Sequence, residues 1–442
     1  MKKQLFRRIF VSIVALITAF TGITVSGQIA ATSVQTGDDA SVLRRMESFE
    51  KVWTTVNEKH YDPTFGGVDW NAVRERYEPL ARNSKTDDEL HNVLRSMLGE
   101  LKLSHFGIYP IGAELGSGSE SGSIGVELKL MEGEPVVFRV DDGSGAKAAG
   151  IMPGMTLRTI DGKLVSEILA PLEKALKSRD LTDASRDLYR ERAAEALLRG
   201  DPQTKVTAGF STNSDEVRNF SIERKRFAGE LSQPLGNFPA QEVVFELRLL
   251  EGNIGYFRFN MWVVPQMPKL RAAMKNFAGA SGLIVDLRGN PGGVGGMASG
   301  LAGLMLDQQA TLGSMRFREN EIKFIVYPQS ERFTGPIVVL IDHGSGSTSE
   351  IFAAGLQELG RATVIGKTSA GAVLPSLFDT LPTNARFQFA IADYRSPTSV
   401  LIEGRGVFPD IDVDLDRKAL IAGRDSQLEK AIEILKGKTR KN

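Results

Sequence analysis

A chain of 442 residues is longer than one core requires; at about 150 residues per domain it divides into roughly three units, with apolar material enough to need no covalent staples. Lysine plus arginine and aspartate plus glutamate balance at 54 each, so no net charge draws the chain to nucleic acid or to an acidic surface. There is no cysteine, which excludes disulfides, thiolate catalysis and Cys-ligated zinc and leaves a hydroxyl or another group as any nucleophile.

The N-terminus reads as an export signal over 1–27. Lys2, Lys3, Arg7 and Arg8 precede an apolar run from Ile9 to Val25, followed by the small residues Ser26 and Gly27. Cleavage near Gln28 is expected; an uncleaved anchor is the alternative, since the run is close to the length that spans a bilayer. Either reading puts the bulk of the chain in the periplasm or outside the cell, with membrane contact only through an uncleaved anchor.

Residues 28–115 are read as a short polar tether and a helical unit. Phe49, Val52, Trp53 and Val56, then Leu90, Val93, Leu94, Met97 and Leu98, recur at three and four, and Thr86 with Glu89 offers a capping box. The pattern breaks at Leu103-Ser104-His105-Phe106-Gly107. A Gly/Ser run, Gly116 to Ser123, opens a second unit over 116–228. Its strands are expected at Ile124–Leu130, Val136–Val140, Leu157–Ile160, Gln203–Phe210 and Asn219–Arg224, and Leu181–Leu198 is a charged helical insertion.

Residues 229–418 carry the strongest buried-strand signals: Gly255–Phe259, Leu283–Leu287 and Ile337–Ile341. Helical stretches at Met267–Phe277, Ala298–Leu306 and Ser349–Leu359 alternate with them, which predicts an α/β layer. The segment 419–442 ends in a surface helix.

Two turns leave the ends of these apolar strands. Asp342-His343-Gly344-Ser345-Gly346-Ser347-Thr348-Ser349-Glu350 leads into an apolar helix, where a hydroxyl would meet unpaired backbone N–H groups that favour developing negative charge. Serine and threonine at such a place also cap helices with no further role. Asp286-Leu287-Arg288-Gly289-Asn290-Pro291-Gly292-Gly293 is the other, with glycines that let backbone amides approach a reacting carbonyl. Crevices at the carboxyl ends of strands are where ligands usually sit.

These two turns, together with Arg405-Gly406-Val407-Phe408-Pro409-Asp410-Ile411-Asp412-Val413, resemble in order and separation the motifs of the carboxyl-terminal processing (tail-specific) serine peptidases. The resemblance spans most of the mature chain. It implies an α+β, multidomain architecture: an N-terminal helical domain, an inserted PDZ-like β domain, and an α/β protease core of the crotonase type. It further implies Ser347 as nucleophile, with Thr348 and Gly292 or Gly293 as oxyanion donors.

The family divides over the base. One branch uses a lysine, but that position is Ala372 here, and nearby Lys367 is out of register with it. The other branch, resembling the tricorn core protease, pairs serine with histidine and glutamate. Its histidine lies in a Leu-x-x-Ser-His context, matched by Leu101 to His105, and its glutamate just precedes the Gly-Val-x-Pro-Asp motif, matched by Glu403. The resemblance therefore implies a catalytic set of Ser347, His105 and Glu403, with Glu403 orienting the ring. An imidazole titrates where it can accept and return a proton at neutral pH. Of the four histidines, His343 is a rival base too close along the turn, and His60 and His91 look structural. No metal spacing or cofactor is expected.

Ser123, Ile124, Gly125 and Val126 resemble the carboxylate-binding loop and edge strand of a PDZ domain, which would hold a peptide's C-terminus by strand addition. The expected function is an exported serine endopeptidase acting on proteins or peptides. The alternatives are a peptide-binding scaffold with a decayed core, suggested by Ala372, and a hydrolase of small esters or amides.

Overall fold

The computed structural model describes residues 35–110, 121–177, 181–212, 216–236 and 238–439. The export signal and residues 116–120 of the Gly/Ser run fall outside these residues. Among the described residues no helix is long and apolar enough to cross a membrane.

Among the described residues three α-helices come first: α1 (Gln35–Lys59), α2 (Trp70–Asn83) and α3 (Asp87–Gly99). Thr86 caps α3 by accepting the Glu89 N–H at 3.1 Å, whereas Glu89 reaches back to the N–H of Lys85 rather than to that of Thr86. Their inward faces bury Phe49, Val52, Trp70, Leu90, Leu94 and Met97, but they do not close a core alone. Leu381, Ala385, Phe387 and Phe389, from nearly three hundred residues later, complete it. Strand β1 (Gly107–Pro110) explains how, since it pairs antiparallel with β18 (Ala385–Ala390), itself paired with β17 (Ser376–Thr380). The end of the helical region is thereby stitched to the C-terminal part of the chain.

The second unit is one antiparallel sheet in the order β2-β3-β4-β6-β7, with β5 (Lys163–Leu164) against β4. Its strands are β2 (Val126–Met131), β3 (Glu134–Val140), β4 (Thr156–Ile160), β6 (Lys205–Ser211) and β7 (Val217–Glu223). Helix α4 (Gly145–Ala148) follows β3; α5 (Val165–Lys177) and α6 (Asp183–Leu198) follow β5. The charged insertion is thus α6. Its Ala194, Leu197 and Leu198 are buried in this unit's own core, while its glutamates turn toward β2.

After a short ribbon, β8 (Glu230–Leu231) with β9 (Glu242–Val243), the core sheet runs β10-β11-β12-β15-β16-β20. Strand β10 (Phe245–Leu250) is antiparallel to β11 (Ile254–Phe259); β12 (Gly282–Asp286), β15 (Ile337–Ile341), β16 (Ala362–Gly366) and β20 (Ile411–Asp412) continue parallel. Every residue of β12 and β15 is buried, as expected of a parallel sheet covered on both faces. One face packs α7 (Gln266–Asn276), α8 (Gly296–Ala302) and α9 (Thr348–Glu358); the other packs the last helix, α11 (Ser426–Thr439), through Ala431 and Leu435. A small sheet of β13 (Ala310–Arg316), β14 (Glu321–Val326) and β19 (Asp393–Arg395) flanks α9, and α10 (Arg417–Ile421) lies against the second unit. The mixed α/β, multidomain architecture read from the sequence holds.

Candidate active site

Because β12 and β15 are adjacent and parallel, their carboxyl ends deliver the two glycine-rich turns side by side. Hydroxyls lock the turns together. Ser345 Oγ donates to Leu287 O (2.8 Å), Thr348 Oγ1 to Gly293 O (2.9 Å) and Ser349 Oγ to Asn290 O (3.0 Å), while Gly346 N–H donates to Asn290 O at 3.0 Å. Three of the four hydroxyls in the run therefore serve structure. Ser347 is the one that does not tie the turns, and it alone is partly open to solvent among buried neighbours. Its backbone (φ 51°, ψ −116°) is not the extended conformation of an ordinary N-cap, so the residue is held in a strained position at the start of α9.

Glu350 supplies the hold. Its buried carboxylate accepts N–H groups from Ser347 (3.0 Å), Gly371 (2.8 Å) and Ala372 (3.0 Å) and the hydroxyl of Ser369 (2.5 Å). Burial pushes its carboxyl up to about 7, against those four donors, which favour the charged form. The sequence had assigned Glu350 no role, although Ser-x-x-Glu is a capping-box spacing.

Oxyanion donors are decided by which amides are spoken for. The N–H of Gly292 donates to Asn290 Oδ1 at 3.0 Å, so of the residues expected to bind an oxyanion this amide is committed elsewhere. Gly293 is exposed, and among the described residues neither its N–H nor that of Thr348, at the first turn of α9, has an acceptor. What Gly292 contributes is space. At φ 101° a Cβ there would fall 2.6 Å from Ser347 Cβ and 2.9 Å from Thr348 N.

The segment 369–373 connects this turn to the other predicted residues. Ser347 N–H donates to Ala372 O at 2.9 Å, so the residue standing in place of the lysine serves through its carbonyl. One residue on, Val373 N–H donates to Glu403 Oε2 at 3.0 Å, and Gly404 N–H donates to Gly371 O at 2.9 Å. Glu403 in turn accepts the Ser104 N–H at 2.7 Å and the Ser104 hydroxyl at 2.9 Å; that hydroxyl lies 2.6 Å from His105 Nδ1. The expectation that Glu403 orients the ring directly is thus corrected: the Ser104 hydroxyl stands between them. Because an ionised carboxylate only accepts, Ser104 Oγ gives its proton to Glu403 and receives one from Nδ1–H. The free lone pair is then on Nε2, the form a general base needs.

Burial lowers the His105 imidazole to about 4, keeping it neutral, and the same desolvation raises the Glu403 carboxyl against its hydrogen-bond donors. His105 adopts φ 59°, a second strained non-glycine residue at the site. The one sequence signal for Ser104 is its position directly before the histidine.

The other candidates are engaged elsewhere. Lys367 Nζ pairs with Asp412 (2.6 Å) and Asp414 (3.0 Å) at the surface. His343 Nε2 lies 2.7 Å from Glu191 Oε1 on α6. His91 bonds Thr383 Oγ1 and His60 bonds the backbone of Asp62, both buried. Among the described residues no cluster of acidic or imidazole side chains suits a metal ion.

The turn at Ser123–Val126 departs from an open peptide-binding loop. Ser123 N–H pairs with Lys225 O (2.9 Å) and Gly125 N–H with Ser123 Oγ (3.0 Å), while buried Ile124 gives its carbonyl to Ala146. Val126 begins β2, whose outer amides at Leu128 and Leu130 bond Glu195 and Glu191 of α6. The helical insertion fills the strand edge where a peptide would add.

Residues 253–413 match Peptidase family S41, and residues 42–99 match the Tricorn protease C1 domain. The chain is 25% identical over 409 residues to the carboxyl-terminal-processing protease of Synechocystis sp., covering 87% of this chain and 85% of that one. It is 26% identical to tricorn protease homolog 1 of Streptomyces coelicolor over 90% of this chain, spanning 36% of that longer protein. Among solved structures, the photosystem II D1 C-terminal processing protease superposes with a TM-score of 0.57 at 22% identity, covering 88% of this chain and 97% of that one. The tricorn protease gives 0.52 at 18% identity over 90% of this chain and 37% of that one. At those identities the structural likeness establishes a shared fold.

By class, then, the chain is a serine peptidase, a hydrolase with an S41 catalytic domain. The relatives it matches along most of its length at about a quarter identity are carboxyl-terminal processing proteases, which is the group it is similar to.

Proposed function

We propose that the protein is an exported endopeptidase that cuts extracytoplasmic proteins or peptides through an acyl-enzyme formed on Ser347. The observation that carries this reading is the run of hydrogen bonds from His105 through Ser104 to Glu403, continued across the Ala372–Val373 peptide unit to the Ser347 amide. His105 Nε2 takes the Ser347 proton as Oγ attacks the carbonyl, and returns it to the leaving amine. The imidazolium formed in that step is stabilised by Glu403 through the Ser104 hydroxyl. Gly293 and Thr348 amides receive the oxyanion; they are fixed before the reaction, so no reorganisation is needed when charge develops. Water then attacks the acyl-enzyme by the same proton path in reverse.

The N-terminal apolar run supports export. Capture of a substrate's C-terminus at Ser123–Val126 belongs to the same reading, beside a β2 edge whose amides at Leu128 and Leu130 are already bonded by α6. Ala372 favours a scaffold without catalysis, and labelling decides between the two. A fluorophosphonate probe should label the wild-type protein and not Ser347→Ala, with casein cleaved and small esters turned over poorly. Absence of labelling in wild type, beside a control protease that labels, overturns the catalytic reading.

A further inference from the structure

Strand β2 is an outer strand, and the side that would accept another strand is covered by α6 of the same chain. Leu130 N–H donates to Glu191 Oε1 at 2.6 Å and Leu128 N–H to Glu195 Oε1 at 2.9 Å. The spacing is commensurate: four helical residues rise about 6 Å and two strand residues about 6.7 Å. A helix with glutamates at i and i+4 can therefore satisfy alternate amides of a strand edge.

Between those amides sits Lys129, whose side chain is only 5% exposed. Its ammonium lies 2.6 Å from Asp342, 3.4 Å from Glu127 and 3.7 Å from Glu191. Asp342 follows the end of β15, five residues before the nucleophile. Its Oδ1 accepts the N–H of Gly289 (2.8 Å), in the oxyanion turn, and that of Gly344 (2.9 Å), in the nucleophile turn. One carboxylate thus gathers both turns, and a cation from another unit neutralises it. Glu191 also pairs with His343, and Ser185 near the start of α6 donates to Ala370 O at 3.5 Å, on the segment that holds Ser347 and Glu403.

We propose that Lys129 is a positioning residue for Ser347: through Asp342, and kept in place by Glu191 of α6, it braces the nucleophile and oxyanion turns against each other. This rests on Ser347 being the nucleophile. A buried carboxylate that loses its partner must be resolvated, protonated or moved, and any of these shifts the amides it holds.

The test uses the full chain with a peptide substrate and the phosphonate probe. Lys129→Met should lower kcat and the labelling rate roughly 30- to 100-fold, the scale of an ångström-sized misplacement, with KM within about threefold. Lys129→Arg should recover most of the loss. Lys129→Met with Asp342→Asn should recover activity relative to Lys129→Met alone, because Asn keeps the Oδ1 acceptor and leaves no uncompensated charge. A wild-type kcat in Lys129→Met, a loss carried by KM alone, or a double variant no better than the single overturns the proposal. Should Lys129→Met fail to fold, the isosteric Glu191→Gln decides: kcat reduced about threefold or more at unchanged KM supports the brace, and unchanged kcat refutes it. If wild type itself does not label, the peptidase reading falls and takes the brace with it; equal labelling of wild type and Lys129→Met sinks the brace alone.

Discussion

Ser104→Ala removes one hydroxyl and tests the relay by itself. In the native protein that oxygen lies 2.6 Å from His105 Nδ1 and 2.9 Å from Glu403 Oε2. A hydrogen bond to a charged group contributes about 1.5–3 kcal/mol, and this one gains strength as the imidazolium forms. At about 1.36 kcal/mol per factor of ten, its loss costs roughly 10- to 150-fold in kcat/KM. Stability should change little. The Ser104 N–H still reaches Glu403 at 2.7 Å and Val373 still donates at 3.0 Å, so the carboxylate stays anchored. Steady-state cleavage of a peptide, with phosphonate inactivation rates and thermal melts beside it, measures the three quantities separately. Ser104→Thr, which keeps the hydroxyl, should retain most activity, and His105→Ala should fall further than Ser104→Ala. If Ser104→Ala stays within twofold of wild type while His105→Ala is dead, the ring is held by something else and the relay is refuted.

The pH profile gives an independent check. His105, lowered by burial to about 4, acts as a base only when neutral, and Glu403, raised by burial, accepts from Ser104 only when ionised. Activity should therefore be full at neutrality and lost as pH falls through an acid limb, whereas a lysine base, titrating ordinarily near 10.4, would make kcat/KM climb into alkali. Stability follows the same sign for His105: with a folded value below the unfolded one of about 6.5, the linked stabilisation is complete above that pH and is lost as pH falls from there toward 4. Lys367→Ala should leave kcat/KM within about twofold and stability nearly unchanged, since its ion pairs are at the surface; a dead variant would restore the serine–lysine reading. Gly292→Ala should abolish labelling of Ser347, because its Cβ would sit 2.6 Å from that residue's own Cβ. Labelling at the wild-type rate would show that the turns do not pack as described.

Much of the fold was legible because its signals are local. Three predominantly apolar strands alternating with helical periodicity announced the parallel layer, and Ile337–Ile341 forms β15 as read. The two glycine-rich turns were legible for the same reason. Other parts had no local signal. The hairpin β17–β18 is amphipathic and unremarkable in sequence, yet it supplies the missing wall of the helical unit's core and pulls β1, and His105 with it, toward Glu403. Likewise α6 read as a surplus charged helix, since nothing in its sequence says that Glu191 and Glu195 find backbone amides on a strand some sixty residues earlier.

The chain's own order of residues determined which types of group are present for chemistry: a serine at a strand-to-helix turn, a histidine at the end of a helical region, a glutamate beside a proline-containing turn, and no thiol. Tertiary structure alone decided how they are used. It placed the Ser104 hydroxyl between ring and carboxylate, committed the Gly292 amide while leaving those of Gly293 and Thr348 without an acceptor among the described residues, and set a lysine from another unit against the Asp342 carboxylate of the Ser347 turn. The physical reason is that residue type and periodicity act over a few positions, whereas hydrogen-bond partners and desolvation belong to whatever the fold brings within about 3 Å.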